Sequence, residues 1–327
     1  MQAISDTIDQ LHLGKSTTFE GLTVFPLFGD TAFEADYLTL DEALEQEQAR
    51  VLEVDEDGDV PNLLFENLGD RKVLLLDGDE LIGAKQNRVI NLTILVPAHT
   101  KIEIPVSCVE AGRWSYRSSE FKSAGRAMFS RARASKAEQV TSRMKRSGER
   151  HSDQSEVWEN VAACSMHLDV ESPTRSMGDM YEQHEERLGA YREAFEAGDK
   201  QVGAVFAVNG HVQGVEYFDS PRPFKLQLDK LVGSYAVEAV LRKQDESKGE
   251  SKETTEAVAR DFLEQVAAAK GEAYTGLGEG EDVRLSADEL SGGALVAGER
   301  VVHLAAFNRD PEGRVVRRRP SRWFSEE

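Results

Sequence analysis

The stretch KVLLLDGDELIGAKQNRVINLTILV, Lys72 to Val96, sets two apolar runs, Lys72 to Leu76 and Arg88 to Val96, on either side of a polar segment. Both runs are rich in Val, Ile and Leu and too short for a helix, so each reads as a β-strand. After Pro97-Ala98-His99-Thr100 a third run, Lys101 to Val109, alternates. Ile102, Ile104, Val106 and Cys108 fall on one face and Lys101, Glu103, Pro105 and Ser107 on the other. The pattern from Leu63 onward predicts a half-buried antiparallel meander, and Pro105, which has no N–H to donate, predicts an edge strand.

Upstream, Leu22 to Phe28 reads as extended. Thr39 with Glu42 three places on is a capping box ahead of a helix over Ala43 to Val51. Asp55-Glu56-Asp57-Gly58-Asp59 spaces oxygens like a calcium loop but lacks the twelfth-position glutamate, and reads as a solvated turn. Downstream, helices are expected from Ala124 to Arg150, from Asp153 to His167, and from Gly178 to Ala197 with Gly198 as its stop. Met180, His184, Leu188, Tyr191 and Phe195 recur at helical spacing in the last of these. Val202 to Val208, Asn209-Gly210 and His211 to Tyr217 form a strong hairpin signal, because Asn-Gly supplies the two positive φ angles of a type I′ turn. Pro221 and Pro223 precede a helix over Phe224 to Arg242 with Leu228, Leu231, Val232 and Tyr235 on its apolar face. Gln244 to Thr255 reads as a mobile linker, Glu256 to Ala269 as a helix, and Gly293 to Val296 and Arg300 to Asn308 as strands.

The fold class expected is therefore α+β: an antiparallel β-sheet or sandwich-like core drawn from the N- and C-terminal halves around a helical insertion. One domain over 1–327 is expected, β-rich over 19–112, helical over 120–198, hairpin plus helix over 200–243, linker over 244–255 and α/β over 256–327.

The 327 residues carry 59 acidic and 39 basic side chains, a net charge of −20, with 40% hydrophobic residues. That much apolar material excludes a disordered chain. No apolar run approaches the roughly 18 to 20 residues that span a bilayer. Met1 to Lys15 has neither the basic start nor the apolar stretch of a signal peptide, so a cytoplasmic protein with no membrane partner is expected. Cys108 and Cys164 are too few for a disulfide framework and read as small buried residues. The cations, 14 Lys and 25 Arg, lean to Arg, and an acid-rich, Lys-poor make-up suits a high-salt cytoplasm.

Chemistry concentrates in the polar segment. Asp77-Gly78-Asp79-Glu80 and Gly83-Ala84-Lys85-Gln86-Asn87-Arg88, with Asn91 just beyond, combine carboxylates, cations and carboxamides in a short span. Glu80 can act as a base, Lys85 and Arg88 can clamp a phosphate or carboxylate, and Gln86, Asn87 and Asn91 can read amides or sugar hydroxyls. The bland alternative is a solvated loop whose ion pairs contribute little.

These residues, followed by Ile104-Pro105-Val106-Ser107-Cys108-Val109-Glu110 and Gly112-Arg113-Trp114, resemble the domain family named for its association with ADP-ribosylglycohydrolases and rhodanese-phosphatase proteins. Segments around Gly203, Gly210, Gly214, Phe218 and Leu228 to Ala239 fit the same family. The likeness runs from Phe19 to Trp114, from Val202 to Val240 and, more loosely, around Val301 to Phe307. It implies a place in ADP-ribose or NAD-derived nucleotide metabolism, an association rather than a mechanism. It also implies a site of Glu80, Lys85, Gln86, Asn87, Arg88, Glu110, Arg113 and Trp114, to which the residue chemistry adds Asn91. The partner expected is a small phosphorylated ligand, with phosphates on Lys85, Arg88 and Arg113, a ribose on Glu80 or Glu110 and a base on Trp114. In a catalytic version Glu80 is the base, and Lys85 with Arg88 stabilises negative charge. A non-catalytic sensing or protein-interaction module is the alternative.

A second alternative rests on Arg113 to Arg150, where eight Arg and three Lys face three Glu, a local charge of +8. A basic helix over 124–150 would suit a nucleic-acid backbone, but only Phe121 and Phe129 offer stacking faces, and pairing with the acidic remainder is favoured. The same holds for Arg317-Arg318-Arg319. The histidines are scattered without metal-ligand spacing. Gly276-Leu277-Gly278-Glu279-Gly280 lacks the setting of a dinucleotide fingerprint. No metal or cofactor is assigned from the sequence.

Overall fold

The computed structural model describes residues 1–29, 33–55, 60–115, 118–245 and 254–309. The chain opens with α1 (Gln2–Asp9), β1 (Leu11–Leu13), β2 (Thr17–Phe19) and β3 (Leu22–Gly29). Next come β4 (Tyr37–Thr39), α2 (Leu40–Glu45), β5 (Ala49–Glu53), β6 (Asn62–Asn67), β7 (Lys72–Leu75), β8 (Asp79–Gly83), β9 (Arg88–Ile90), β10 (Ile94–Val96), β11 (Lys101–Cys108) and β12 (Phe121–Ala127). Four helices follow, α3 (Ser130–Ser147), α4 (Gln154–His167), α5 (Met177–Gln183) and α6 (Glu185–Glu193). The chain then forms β13 (Gln201–Val208), β14 (His211–Phe218), α7 (Pro221–Asp245) and α8 (Glu256–Ala268). It ends with β15 (Lys270–Thr275), β16 (Glu281–Ala287), β17 (Leu290–Ala297) and β18 (Arg300–Asn308).

The α+β class is as expected: antiparallel sheets from both halves of the chain surround a helical insertion. Nine strands make the largest sheet, in the order β1-β3-β13-β14-β18-β17-β16-β15 with β2 added on β3. Its centre joins distant sequence, since β3 pairs with β13 (Val24 opposite Phe206) and β14 with β18 (Val215 opposite Ala306). Both faces are buried. Val24, Phe206 and Phe307 pack with apolar residues of α3, α4 and α7, and Phe25, Val205 and Leu304 pack with those of α1 and α8. Asn209 and Gly210 take the positive φ angles the hairpin turn requires.

A six-stranded sheet, β12-β8-β9-β11-β6-β5, and a three-stranded one, β10-β7-β4, form beside it. Among the described residues all the strand pairings are antiparallel except β4 with β7. Val51, Phe65, Leu81, Ile90, Val106 and Phe121, one from each of the six strands, meet in a single core. The sheet therefore curls around its own apolar face, bringing Arg50 on β5 to 4.0 Å from Glu120 beside β12.

Several expected elements are corrected. The capping box forms, with the Glu42 amide donating to Thr39 Oγ1 and the Thr39 amide to Glu42 Oε2, but its helix stops at Glu45, and Ala49–Glu53 extends along β6 instead. The helix expected from Ala124 starts only at Ser130. Phe121–Ala127 is a strand, because Lys122 and Ser123 pair with Ile82 and Leu81 and cross-strand bonds override the helical preference of the alanines. Gly178 to Ala197 is two helices broken at His184, whose Nε2 meets the Leu168 carbonyl at 3.1 Å, and Gly198 lies beyond the end at Glu193. α7 begins at Pro221 rather than Phe224, as the fixed φ of proline allows in a first turn. Arg88 to Val96 splits into β9 and β10, which enter different sheets. Pro105 is interior: β11 pairs with β6 up to Pro105 and with β9 from Val106, so the missing N–H falls where partners change.

Most of the expected acidic turn, the linker centred on 246–253 and Arg317-Arg318-Arg319 lie outside the described residues. Among the described residues no helix is long and apolar enough to cross a membrane.

Candidate functional site

The polar segment is a short hairpin, β8 against β9, and the pleat divides it. Arg88 stands opposite Leu81 and Cys108, on the face that lines the core of the curled sheet. Glu80 stands opposite Val89, which packs in the other core, toward the large sheet. Residues that look like one cluster in sequence therefore face two ways.

The connection from Gly83 to Asn87 is held in an unusual shape. Gly83 has φ +145° and Ala84 φ +36°. A Cβ on Gly83 would lie 2.7 Å from the Glu120 carbonyl, so only glycine fits. Arg113 staples the loop with all its donors: Nε to Glu110 Oε2 (2.8 Å), Nη1 to the carbonyls of Ala84 (2.7 Å) and Ser115 (2.8 Å), and Nη2 to Asn87 Oδ1 (3.0 Å) and the Gly83 carbonyl (3.3 Å). Glu110 Oε2 also accepts the Asn87 amide at 3.2 Å, and Gln86 Nε2 donates to the Glu110 carbonyl at 2.9 Å. Burial opposes ionisation of Glu110, but Arg113 with hydrogen bonds from Thr174 and Asn87 outweighs it and holds the carboxyl below its ordinary range. Gln86, Asn87, Glu110 and Arg113 are thus brought together as the frame of the loop.

Lys85, Arg88 and Trp114 gather at its outer corner. Lys85 Nζ lies 5.5 Å and the Arg88 guanidinium 5.9 Å from the Trp114 ring, within cation–π reach. Trp114 is half exposed, whereas Arg88 is wholly buried. Arg88 Nη1 donates to Gln86 Oε1 at 3.2 Å, but among the described residues Nε and Nη2 have no hydrogen-bond partner. Cys108 sits opposite Arg88 in the register; burial pushes its thiol up to about 11, against the pull of Arg88.

Glu80 and Asn91 lie elsewhere. Glu80 is fully buried and receives Arg126 Nε at 2.5 Å and Asn87 Nδ2 at 3.5 Å; burial still holds its carboxyl above the ordinary range. Arg126 also stacks on Tyr181, 5.6 Å from its ring. Asn91 accepts Ser107 Oγ at 2.6 Å and donates to the Arg150 carbonyl at 3.3 Å, tying β9 to the segment after α3.

The largest buried ionic assembly was not visible in the sequence. Lys136 reaches Asp77, and Arg133 Nη1 donates to Glu216 Oε1 at 2.6 Å while its Nε lies 3.5 Å from Asp77. Tyr235 also donates to Glu216 at 3.1 Å, and His303 Nε2 lies 3.4 Å from it. Nearby, Lys230 bridges Asp41 (2.6 Å) and Asp79 (3.1 Å). Arg133 and Lys136 belong to the basic run, as do Arg126, Arg131, Arg143 and Lys145, which pair with Glu80, Glu238, Asp153 and Glu272. The only sequence signal was the excess of cations itself, which does not say which way they point. Among the described residues no three His, Cys, Asp or Glu side chains converge in a set that could hold a metal ion.

No curated protein and no solved structure matches the chain. A family model described as the ARG and Rhodanese-Phosphatase-superfamily-associated Protein domain matches residues 10–307. That span takes in the large sheet, the curled sheet and the stapled loop, and the chain belongs to this family.

Proposed function

We propose that the chain binds a small phosphorylated, nucleotide-like ligand of the ADP-ribose or NAD-derived kind at the corner formed by Lys85, Arg88 and Trp114. The observation that carries this reading is Arg88. A guanidinium removed from water costs several kcal/mol unless it is paired, and this one keeps two donor nitrogens without partners among the described residues, beneath an exposed indole. The buried guanidinium puts positive potential under the corner, Lys85 adds a second positive charge that favours a phosphate, and a base can lie on the half-exposed Trp114. Gln86, Asn87, Glu110 and Arg113 shape the corner. Glu80, turned to the other face and engaged by Arg126, serves in this reading as a positioning residue rather than as a base, which favours ligand sensing over processing.

The test is calorimetric titration of the whole chain with AMP and ADP-ribose, beside Arg88→Met. Binding should weaken at least tenfold in the variant, from loss of a positive charge in a poorly screened position beneath the corner. Equal affinity in the variant, or no binding of either nucleotide by the native chain, defeats the proposal. Product analysis with ADP-ribose and NAD, repeated with Glu80→Gln and Lys85→Ala, separates sensing from processing: turnover abolished by Glu80→Gln would restore the carboxylate as a base.

A further inference from the structure

Beyond the Lys85, Arg88 and Trp114 corner, the molecule has a cleft of about 470 Å³ between α4 and the segment that follows it, with Ala111 also in its lining. Its floor is apolar. Trp158, Ala162 and Met166 project from one stripe of α4 at helical spacing, and Met166 stands 77% exposed at the lip. Its rim is polar, with Asp169, Glu171 and Arg175. Among the described residues neither rim carboxylate forms an ion pair. Among the described residues the buried Trp158 indole Nε1 has no hydrogen-bond partner.

The rim is preformed. Asp169 and Arg175 are held at φ +55° and +52°, a left-handed backbone that side chains other than glycine adopt at a cost of about 1 kcal/mol or more. Hydrogen bonds fix them there: the Val170 amide donates to the Ser165 carbonyl at 2.9 Å, and the Gly112 amide to the Thr174 carbonyl at 2.7 Å. Pockets of roughly 300 to 1,000 Å³ with apolar walls and a few polar groups are the size and kind that enclose small ligands.

The geometry points to a second binding site in this cleft, for an uncharged planar heterocycle of nucleoside size. The ring lies against Trp158 and Met166, and hydroxyl or amino donors meet Asp169 and Glu171. No phosphate is required, which distinguishes this site from the corner at Arg88.

Calorimetric titration of the whole chain with adenosine and with uridine tests this. At least one should bind, roughly tenfold more weakly to Trp158→Leu, which removes the aromatic face. Ala162→Phe, an exposed helical position whose larger ring fills the cleft, should abolish binding while leaving the unfolding temperature close to native. Inorganic phosphate, the minimal probe of the Arg88 corner, should leave the nucleoside affinity unchanged. Binding of neither nucleoside, or affinities the same in both variants as in the native chain, overturns the inference.

Discussion

Arg88 carries its charge where water does not reach, and that makes a stability prediction separate from ligand binding. Replacing a poorly compensated buried charge by an apolar side chain of similar size is often stabilising by about 1 to 4 kcal/mol. Ligand-free Arg88→Met should therefore melt at a higher temperature than the native chain in a calorimetric scan; a lower one would mean that the guanidinium already has compensation. Gly83 behaves oppositely. Gly83→Ala forces a side chain onto a backbone at φ +145° and against the Glu120 carbonyl, and should cost about 2 kcal/mol or more by urea unfolding. Asp219 gives a pH signature. It accepts the Tyr37 hydroxyl at 2.6 Å, Arg300 Nε lies 3.1 Å away, and burial pushes its carboxyl up to about 6. Its folded value lies above the ordinary carboxylate range, so the folded state holds the proton more tightly. That contribution to stability is complete below about pH 4 and is lost as pH rises through 6. The stability of Asp219→Asn relative to the native chain should therefore increase between pH 4 and 6.5, and a constant difference would count against this account.

At the scale of elements, α3 is fastened to the large sheet by charge as well as by apolar packing. Arg133 and Lys136, one turn apart, turn inward to Glu216 on β14 and to Asp77 just before β8, so this single helix links both sheet systems. Arg133→Met leaves Glu216 buried without its main partner, while Asp77 keeps Lys136, and should cost about 3 to 5 kcal/mol. Adding Glu216→Gln should recover part of that loss, because the two changes share one interaction. Strictly additive losses in urea unfolding would show that the pair is not coupled. The same network explains why the basic run was legible as composition but not as structure. An excess of arginine and lysine can be counted, whereas the acids that absorb it lie up to more than a hundred residues away.

For the whole molecule, a net charge of −20 over 327 residues places many uncompensated carboxylates on the surface. Their mutual repulsion is screened by salt, with a Debye length falling from about 10 Å at 0.1 M to about 3 Å at 1 M. The unfolding temperature should rise markedly between dilute and molar KCl; a flat response would remove the high-salt reading of the composition.

What the sequence determined by itself was whatever depends on neighbours along the chain. The Asn209-Gly210 hairpin, the Thr39 capping box, α4, α8 and the apolar face of α7 could all be read from spacing and turn chemistry, and the family could be read from the residues between Asp77 and Trp114. Tertiary structure decided what depends on distant partners. Phe121–Ala127 became a strand because β8 was there to pair with it, and Pro105 became interior because β11 changes partners at that residue. Glu80 and Arg88 parted to opposite faces because strands alternate, and only the packed sheet says which face meets which core. The cleft beside Trp158 left no trace in the sequence, since its walls are joined by a turn whose shape the folded chain alone imposes.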